Sequence, residues 1–136
     1  MAEVDPGRTT PEILVIDDEP RLFDVAQQIV GGVCERAGVE VRFVLAEDAE
    51  QALERLVVAL PQAVLIDGLG GRCWEIIDLL QERAVPTVLW TSRSELADKA
   101  ERDGLPSYLK GRSFDLLRDT VRQTFPFLNT ENARLQ

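Results

Sequence analysis

The chain has 136 residues and a net charge of −9, with 45% hydrophobic and 29% charged residues. That length and mix fit one globular domain, excluding fibrous or wholly disordered architectures, and the acidic balance excludes the basic footprint of direct nucleic-acid binding. The sequence contains no histidine, which removes histidine-ligated zinc, Ser-His-Asp catalysis and a histidine phosphocarrier.

No apolar run approaches the ~20 residues that cross a bilayer, and the start MAEVDPGRTTP lacks the basic and apolar regions of a signal peptide, so no membrane association and a cytoplasmic location are expected. Cys34 and Cys73 are far apart and outside any C-x-x-C pattern, which predicts reduced structural thiols.

Along the chain the hydrophobic period changes repeatedly. Ile13 to Ile16 is a continuous apolar run, as expected of a strand covered on both faces, and it ends in Asp17, Asp18 and Glu19. Helical spacing follows in Leu22, Val25, Ala26, Ile29, Val30 and Val33, with Pro20 suited to the first turn and Gly38 to the helix end. Val39, Val41, Phe43 and Leu45 alternate as a second strand. Asp48 can then cap a helix with Ala49, Leu53, Leu56, Val57 and Leu60 on one side, stopped by Pro61. Ala63 to Ile66 is a third strand ending in Asp67, followed by GLGG and an apolar helix through Trp74, Ile77 and Leu80. Pro86 to Trp90 reads as a fourth strand ended by Thr91 and Ser92, with Ser92-x-x-Glu95 resembling a capping box for a short helix around Leu96 to Ala100. Pro106 to Lys110 makes a short last strand, and Phe114, Leu117, Val121 and Phe125 mark a final helix closed by Pro126. Trp74 and Trp90 read as partly buried packing residues, and GLGG does not form the G-x-G-x-x-G of a dinucleotide site.

Five strands alternating with five helices imply an α/β fold, a doubly wound parallel sheet with helices on both faces. In such sheets ligands sit beyond the carboxyl ends of the strands. Those ends carry Asp17 and Asp18, Asp67, Thr91 and Ser92, and Lys110. Three clustered carboxylates repel one another unless a cation sits among them, and Mg²⁺, which takes oxygen ligands and is held by one or two carboxylates plus a phosphate, is the expected partner. Asp67, alone at its strand end, is the natural nucleophile toward a phosphoryl group. Thr91 or Ser92 can donate to a phosphoryl oxygen, and Lys110 can neutralise another.

These residues resemble the receiver domain of the bacterial two-component response regulators, in ILVIDDEP, AVLID, TVLWTS and YLKG, over roughly residues 12–125. The resemblance implies a flavodoxin-like five-stranded sheet of order 2-1-3-4-5, with residues 1–11 and 126–136 as flanking tails. It implies Asp17, Asp18, Asp67 and the Leu69 carbonyl as Mg²⁺ ligands, Asp67 as phosphoacceptor, Thr91 as switch hydroxyl and Lys110 as the phosphate-contacting cation. The implied partners are a sensor histidine kinase or phosphotransfer protein and a downstream protein, with self-association as another output. The implied role is a stand-alone signalling phosphoacceptor, not an enzyme, that catalyses only its own phosphorylation and dephosphorylation. Two departures motivate an alternative, a degenerate receiver acting as a phosphorylation-independent interaction module. The segment after Asp67 is GLGGRCWE, short and without proline, and Tyr108 stands two residues before Lys110 where the family places an aromatic three before, with Gly111 rather than proline after it. Because strand side chains alternate, one of Tyr108 and Lys110 is displaced to the face opposite its usual one. A weaker third reading is a metal-dependent phosphotransferase acting on small molecules.

Overall fold

The computed structural model describes residues 10–128. The chain alternates β1 (Glu12–Ile16), α1 (Pro20–Arg36), β2 (Arg42–Ala46), α2 (Ala49–Val58), β3 (Ala63–Asp67), a 3-10 turn at Leu69–Gly71, α3 (Cys73–Glu82), β4 (Thr87–Thr91), α4 (Ser94–Arg102), β5 (Ser107–Leu109) and α5 (Phe114–Thr124). The five strands form one sheet of order β2-β1-β3-β4-β5 in which all neighbours are parallel. This is the doubly wound parallel α/β sheet that the order of elements predicts, in the flavodoxin-like strand order that the resemblance implies.

The continuous apolar runs are explained by burial on both sides of the sheet. On one face Leu14, Ile16, Val64, Ile66 and Leu89 pack under α2, α3 and α4 through Ala52, Leu56, Ile76, Leu80, Leu96 and Ala100. On the other, Ile13, Val15, Leu65, Val88, Trp90 and Tyr108 pack under α1 and α5 through Ala26, Val30, Val33, Leu117, Val121 and Phe125. The second core continues past α5 into a 3-10 turn at Pro126–Leu128, where Leu128 is buried. Of the expected flanking segments, residues 1–9 and 129–136 lie outside the described residues.

Several local expectations differ from the structure for physical reasons. β2 begins at Arg42, because Val39 is committed to closing α1: its N–H bonds the Cys34 carbonyl at 2.9 Å, next to Gly38 at φ 73°. On α2 the buried positions are Ala49, Ala52 and Leu56, one stripe of a 3.6-residue period, capped by the Asp48 carboxylate accepting the Gln51 N–H at 2.8 Å. Val57 is rotated off that stripe and is 85% exposed, while Leu60 lies beyond the helix end. Ser92 and Glu95 do not form a capping box, since α4 starts two residues after Ser92. The Arg93 N–H instead bonds Thr91 Oγ1 at 3.0 Å, and the Glu95 carboxylate pairs with the Arg93 guanidinium. Phe114, expected on the apolar stripe of α5, is the first residue of that helix and is exposed, with Ser113 Oγ capping it. Trp74 is half-buried and Trp90 fully buried, and both thiols are buried and unpaired.

Candidate functional site

The carboxyl ends of β1, β3, β4 and β5 meet at one edge of the sheet, because parallel strands connected by helices all point the same way. Asp17 and Asp18 follow β1 directly, and Asp67 is the last residue of the neighbouring β3. Asp17, Asp18 and Asp67 each offer a carboxylate oxygen within 4.8 Å of the other two, the one such cluster among the described residues. Asp17 is 4% exposed, Asp67 half-buried and Asp18 exposed, so the cluster runs from the protein interior to solvent.

Each carboxylate is aimed by its own backbone. Asp17 Oδ1 accepts the Glu19 N–H at 2.9 Å, and Asp67 Oδ2 accepts the Leu69 N–H at 2.9 Å, the same two-residue Asx geometry at the ends of adjacent strands. Burial pushes the Asp17 carboxyl above its usual pKa. The Glu19 N–H and the Lys110 ammonium pull it back, and the Asp67 and Asp18 charges push it up again.

Lys110 enters from β5, on the far side of β4. Its ammonium lies 2.7 Å from Asp67 Oδ1 and 3.5 Å from Asp17 Oδ2, with its side chain 19% exposed. Its backbone N–H bonds the Thr91 carbonyl at 2.7 Å, continuing the β4–β5 ladder one residue past the strand. Thr91 is buried and its Oγ1 accepts the Arg93 N–H, which leaves the hydroxyl proton free to donate; Ser92 is exposed. The hydroxyl lies against the loop after Asp67: a Cβ added to Gly68 would stand 3.1 Å from Thr91 Oγ1.

The loop after Asp67 is tightly turned. Leu69, Gly70 and Gly71 all have positive φ (50°, 64° and 95°), an unusual conformation for a leucine. The Leu69 carbonyl, expected among the metal's ligands, accepts the Arg72 N–H at 3.2 Å, which occupies one of its two lone pairs. A hard, oxygen-preferring cation suits the donor set, because three carboxylates converge there and, among the described residues, Lys110 is the one cationic side chain paired with them.

The structure resolves the register of β5. Lys110 reaches the acid cluster, and Tyr108, two residues earlier, shares its face of the sheet and is buried in the core under α1 and α5. Ser107 points the other way by strand alternation, and at the sheet edge Ser107, Tyr108 and Leu109 all line the groove between α4 and α5. Tyr108 packs edge-on against Trp90, with ring centroids 5.7 Å apart and planes at 73°, and its hydroxyl donates to the Arg112 carbonyl. Gly68 is buried between Thr91 and Leu96, whereas in the sequence it looks like any turn glycine after an aspartate.

No family model and no curated protein matches the chain. Its fold matches solved structures throughout most of its length. A response regulator receiver protein from Burkholderia phymatum superposes with a TM-score of 0.67 at 20% identity, covering 88% of this chain and 96% of that one. The signal receiver domain of a DNA-binding response regulator from Colwellia psychrerythraea gives 0.64 at 18% identity, covering 83% and 96%. A Thermotoga maritima response regulator in complex with Mg(2+)-BeF gives 0.60 at 19% identity, covering 84% and 98%. At these identities the likeness is one of fold, and the chain has the fold of response regulator receiver domains.

Proposed function

We propose that this chain is a phosphoacceptor switch: Asp67 takes a phosphoryl group from the phosphohistidine of a sensor kinase or phosphotransfer protein, and the modified site alters binding to a downstream protein. The observation that carries this reading is the contact of the Lys110 ammonium, 2.7 Å from Asp67, beside a cluster of three carboxylates at the sheet edge where this fold places its ligands. In the transfer, an Asp67 carboxylate oxygen forms the bond to phosphorus as the phosphorus–nitrogen bond of the donor breaks, and the departing imidazole nitrogen keeps the electron pair and takes up a proton. Lys110 neutralises charge on the phosphoryl oxygens, the Thr91 hydroxyl donates to one of them, and Gly68 lets that hydroxyl stand close to the acceptor. Asp17, Asp18 and Asp67 would hold Mg²⁺, which supplies charge neutralisation at the transferring group. The chemistry is confined to the chain's own acyl phosphate, its formation and its hydrolysis, so the protein acts as a signalling acceptor rather than as an enzyme on free substrates. The Mg(2+)-BeF complex of the Thermotoga relative is consistent with this donor set.

One observation favours a second reading, an interaction module that works without phosphorylation. Tyr108 is buried and its hydroxyl is engaged by the Arg112 carbonyl, so no β5 aromatic lies on the Thr91 side to respond to the acceptor.

The deciding measurement is intact mass after incubation with Mg²⁺ and a small phosphoryl donor. The phosphoacceptor reading expects one base-labile phosphoryl group, dependent on metal and absent in Asp67→Ala. Absence of uptake under conditions that label an ordinary receiver would overturn it in favour of the interaction module.

A further inference from the structure

We propose that Tyr108 is a positioning residue for Lys110, acting from beneath through its hydroxyl on the turn that carries the lysine and through its ring on the indole of Trp90. The proposal deepens the phosphoacceptor reading of Asp67 and rests on it for its functional consequence, but its structural content stands on geometry alone.

Lys110 is the first residue after β5, and the residue that follows it, Gly111, has φ 96°. A glycine there leaves the turn conformationally loose, because nothing in its own backbone preference holds it in one well. A lysine on such a turn, with a long flexible stem, would spread its ammonium over many positions. The Lys110 N–H is held on the Thr91 carbonyl, and beyond Gly111 two further hydrogen bonds remove that freedom. The Arg112 N–H bonds the Leu109 carbonyl at 3.2 Å, closing the turn, and the Arg112 carbonyl accepts the Tyr108 hydroxyl, which ties the far end of the turn back to the middle of β5. Burial pushes the Tyr108 pKa up, so its hydroxyl remains a donor over the ordinary pH range.

The ring makes the second connection. Asp67, Trp90 and Tyr108 are successive partners across β3, β4 and β5, so they form one row on the sheet. Two residues beyond Tyr108, on the same face by the period of a strand, Lys110 lies above that row, its ammonium 6.0 Å from the centre of the Trp90 indole. That separation is at the outer limit of a cation–π contact. The indole therefore acts as a floor under the ammonium, and Tyr108 fixes the floor by its edge-on contact at 5.7 Å. Trp90 Nε1 is buried with no hydrogen-bond partner among the described residues, so no polar anchor to the described chain holds the indole; the Tyr108 ring and the surrounding core do.

The test uses the whole chain, free of metal and phosphoryl donor, and the proton–nitrogen spectrum of its lysine ammonium groups. In the wild type, a protected Lys110 ammonium resonance is expected, identified by its loss in Lys110→Arg. Tyr108→Phe keeps the ring and removes the hydroxyl. It should speed exchange of that ammonium at least several-fold while the backbone spectrum away from residues 107–114 is unchanged. Trp90→Leu provides a second variant, in which the ammonium resonance should move as the ring current is lost. With Mg²⁺ and a small phosphoryl donor added, Tyr108→Phe should slow phosphoryl uptake about tenfold, less than the roughly hundredfold that a 1 Å misplacement can cost, with the Mg²⁺ concentration for half-maximal rate unaltered. A wild type with no protected ammonium, or a Tyr108→Phe variant whose ammonium exchange matches it, overturns the proposal. Failure of the wild type to take up phosphoryl instead overturns the phosphoacceptor reading, and the ammonium exchange still decides the role of Tyr108.

Discussion

Lys110 and Asp67 form an ion pair across the intervening strand β4, at 2.7 Å and with both side chains less than one-fifth exposed. The ammonium also faces Asp17 at 3.5 Å, so one cation partly compensates a group of three acids. Removing it leaves buried negative charge without a partner. A fully buried pair broken in this way costs about 3–5 kcal/mol, and partial solvent access here reduces the expected cost of Lys110→Ala to roughly 2 kcal/mol. Because Mg²⁺ would compensate the same carboxylates, the loss should be largest in chelator and should shrink as the metal is added. Denaturant melts of wild type and Lys110→Ala at several Mg²⁺ concentrations check this, and a loss independent of metal would separate the lysine from the metal site.

Asp17 has a raised pKa, chiefly because it is buried. A carboxyl that holds its proton more tightly folded than unfolded favours the fold below the unfolded carboxylate pKa, and that contribution is lost as pH rises through the folded value. At neutral pH without metal the ionised Asp17 therefore weakens the fold. Asp17→Asn should raise the melting temperature in chelator at pH 7, and the gain should vanish on acidification below the carboxylate range. Added Mg²⁺ should stabilise the wild type, by about 2.7 kcal/mol at a hundred times its dissociation constant, and leave the variant little changed. Melting curves over pH with and without metal give the answer, and a variant less stable than wild type in chelator at pH 7 would contradict the sign.

The alternation of strands and helices and the placing of the acids at strand ends are legible because both follow from short-range patterns, whereas the strand order β2-β1-β3-β4-β5 pairs segments distant in sequence and is implied by the family resemblance alone. Runs such as Ala63–Ile66 are long enough for a strand and too short for a helix, and the position of Asp67 after such a run places it at the sheet edge. The start of β2 at Arg42 is not legible, because alternation alone cannot tell that the Val39 N–H is used to close α1. The side taken by Tyr108 is open in the sequence because strand alternation says only that Tyr108 and Lys110, two residues apart, share a face, and which face that is depends on the register of β5 against β4. Gly68 was illegible because its reason is a neighbour distant in sequence, Leu96 of α4.

Ala84 follows the end of α3 in the left-handed region at φ 58°, its N–H on the Gln81 carbonyl and its side chain exposed. The left-handed conformation costs a residue with a Cβ about 1–2 kcal/mol, and glycine gives back part of that through greater freedom when unfolded. Ala84→Gly should therefore stabilise the protein by about 0.5–1 kcal/mol without touching the acid cluster. Urea melts measure this directly, and a destabilised variant would show that the methyl group makes a contact outweighing the backbone strain.

Gly68 is held by space rather than by dihedral angle, since its φ of −65° is open to any residue. A Cβ there would meet Leu96 Cδ1 at 2.5 Å and Thr91 Oγ1 at 3.1 Å. Leu96 is one of two buried residues that seat α4, the other being Ala100, and the remainder of that helix is polar apart from Ala97 and held at its rim by contacts such as Lys99 over the Trp74 ring at 4.5 Å. The extra methyl must turn the buried Leu96 side chain aside or displace α4 or Thr91 with it, and overpacking of this kind costs about 1–3 kcal/mol. Gly68→Ala should therefore lower stability by that amount and perturb amide signals of α4 and of Thr91 more than those of α1 and α5. Pairing it with Leu96→Ala, which makes room for the methyl, should recover part of the loss, so the double variant should be more stable than the sum of the single changes. Strict additivity would mean that the loop after Asp67 and α4 do not press on each other.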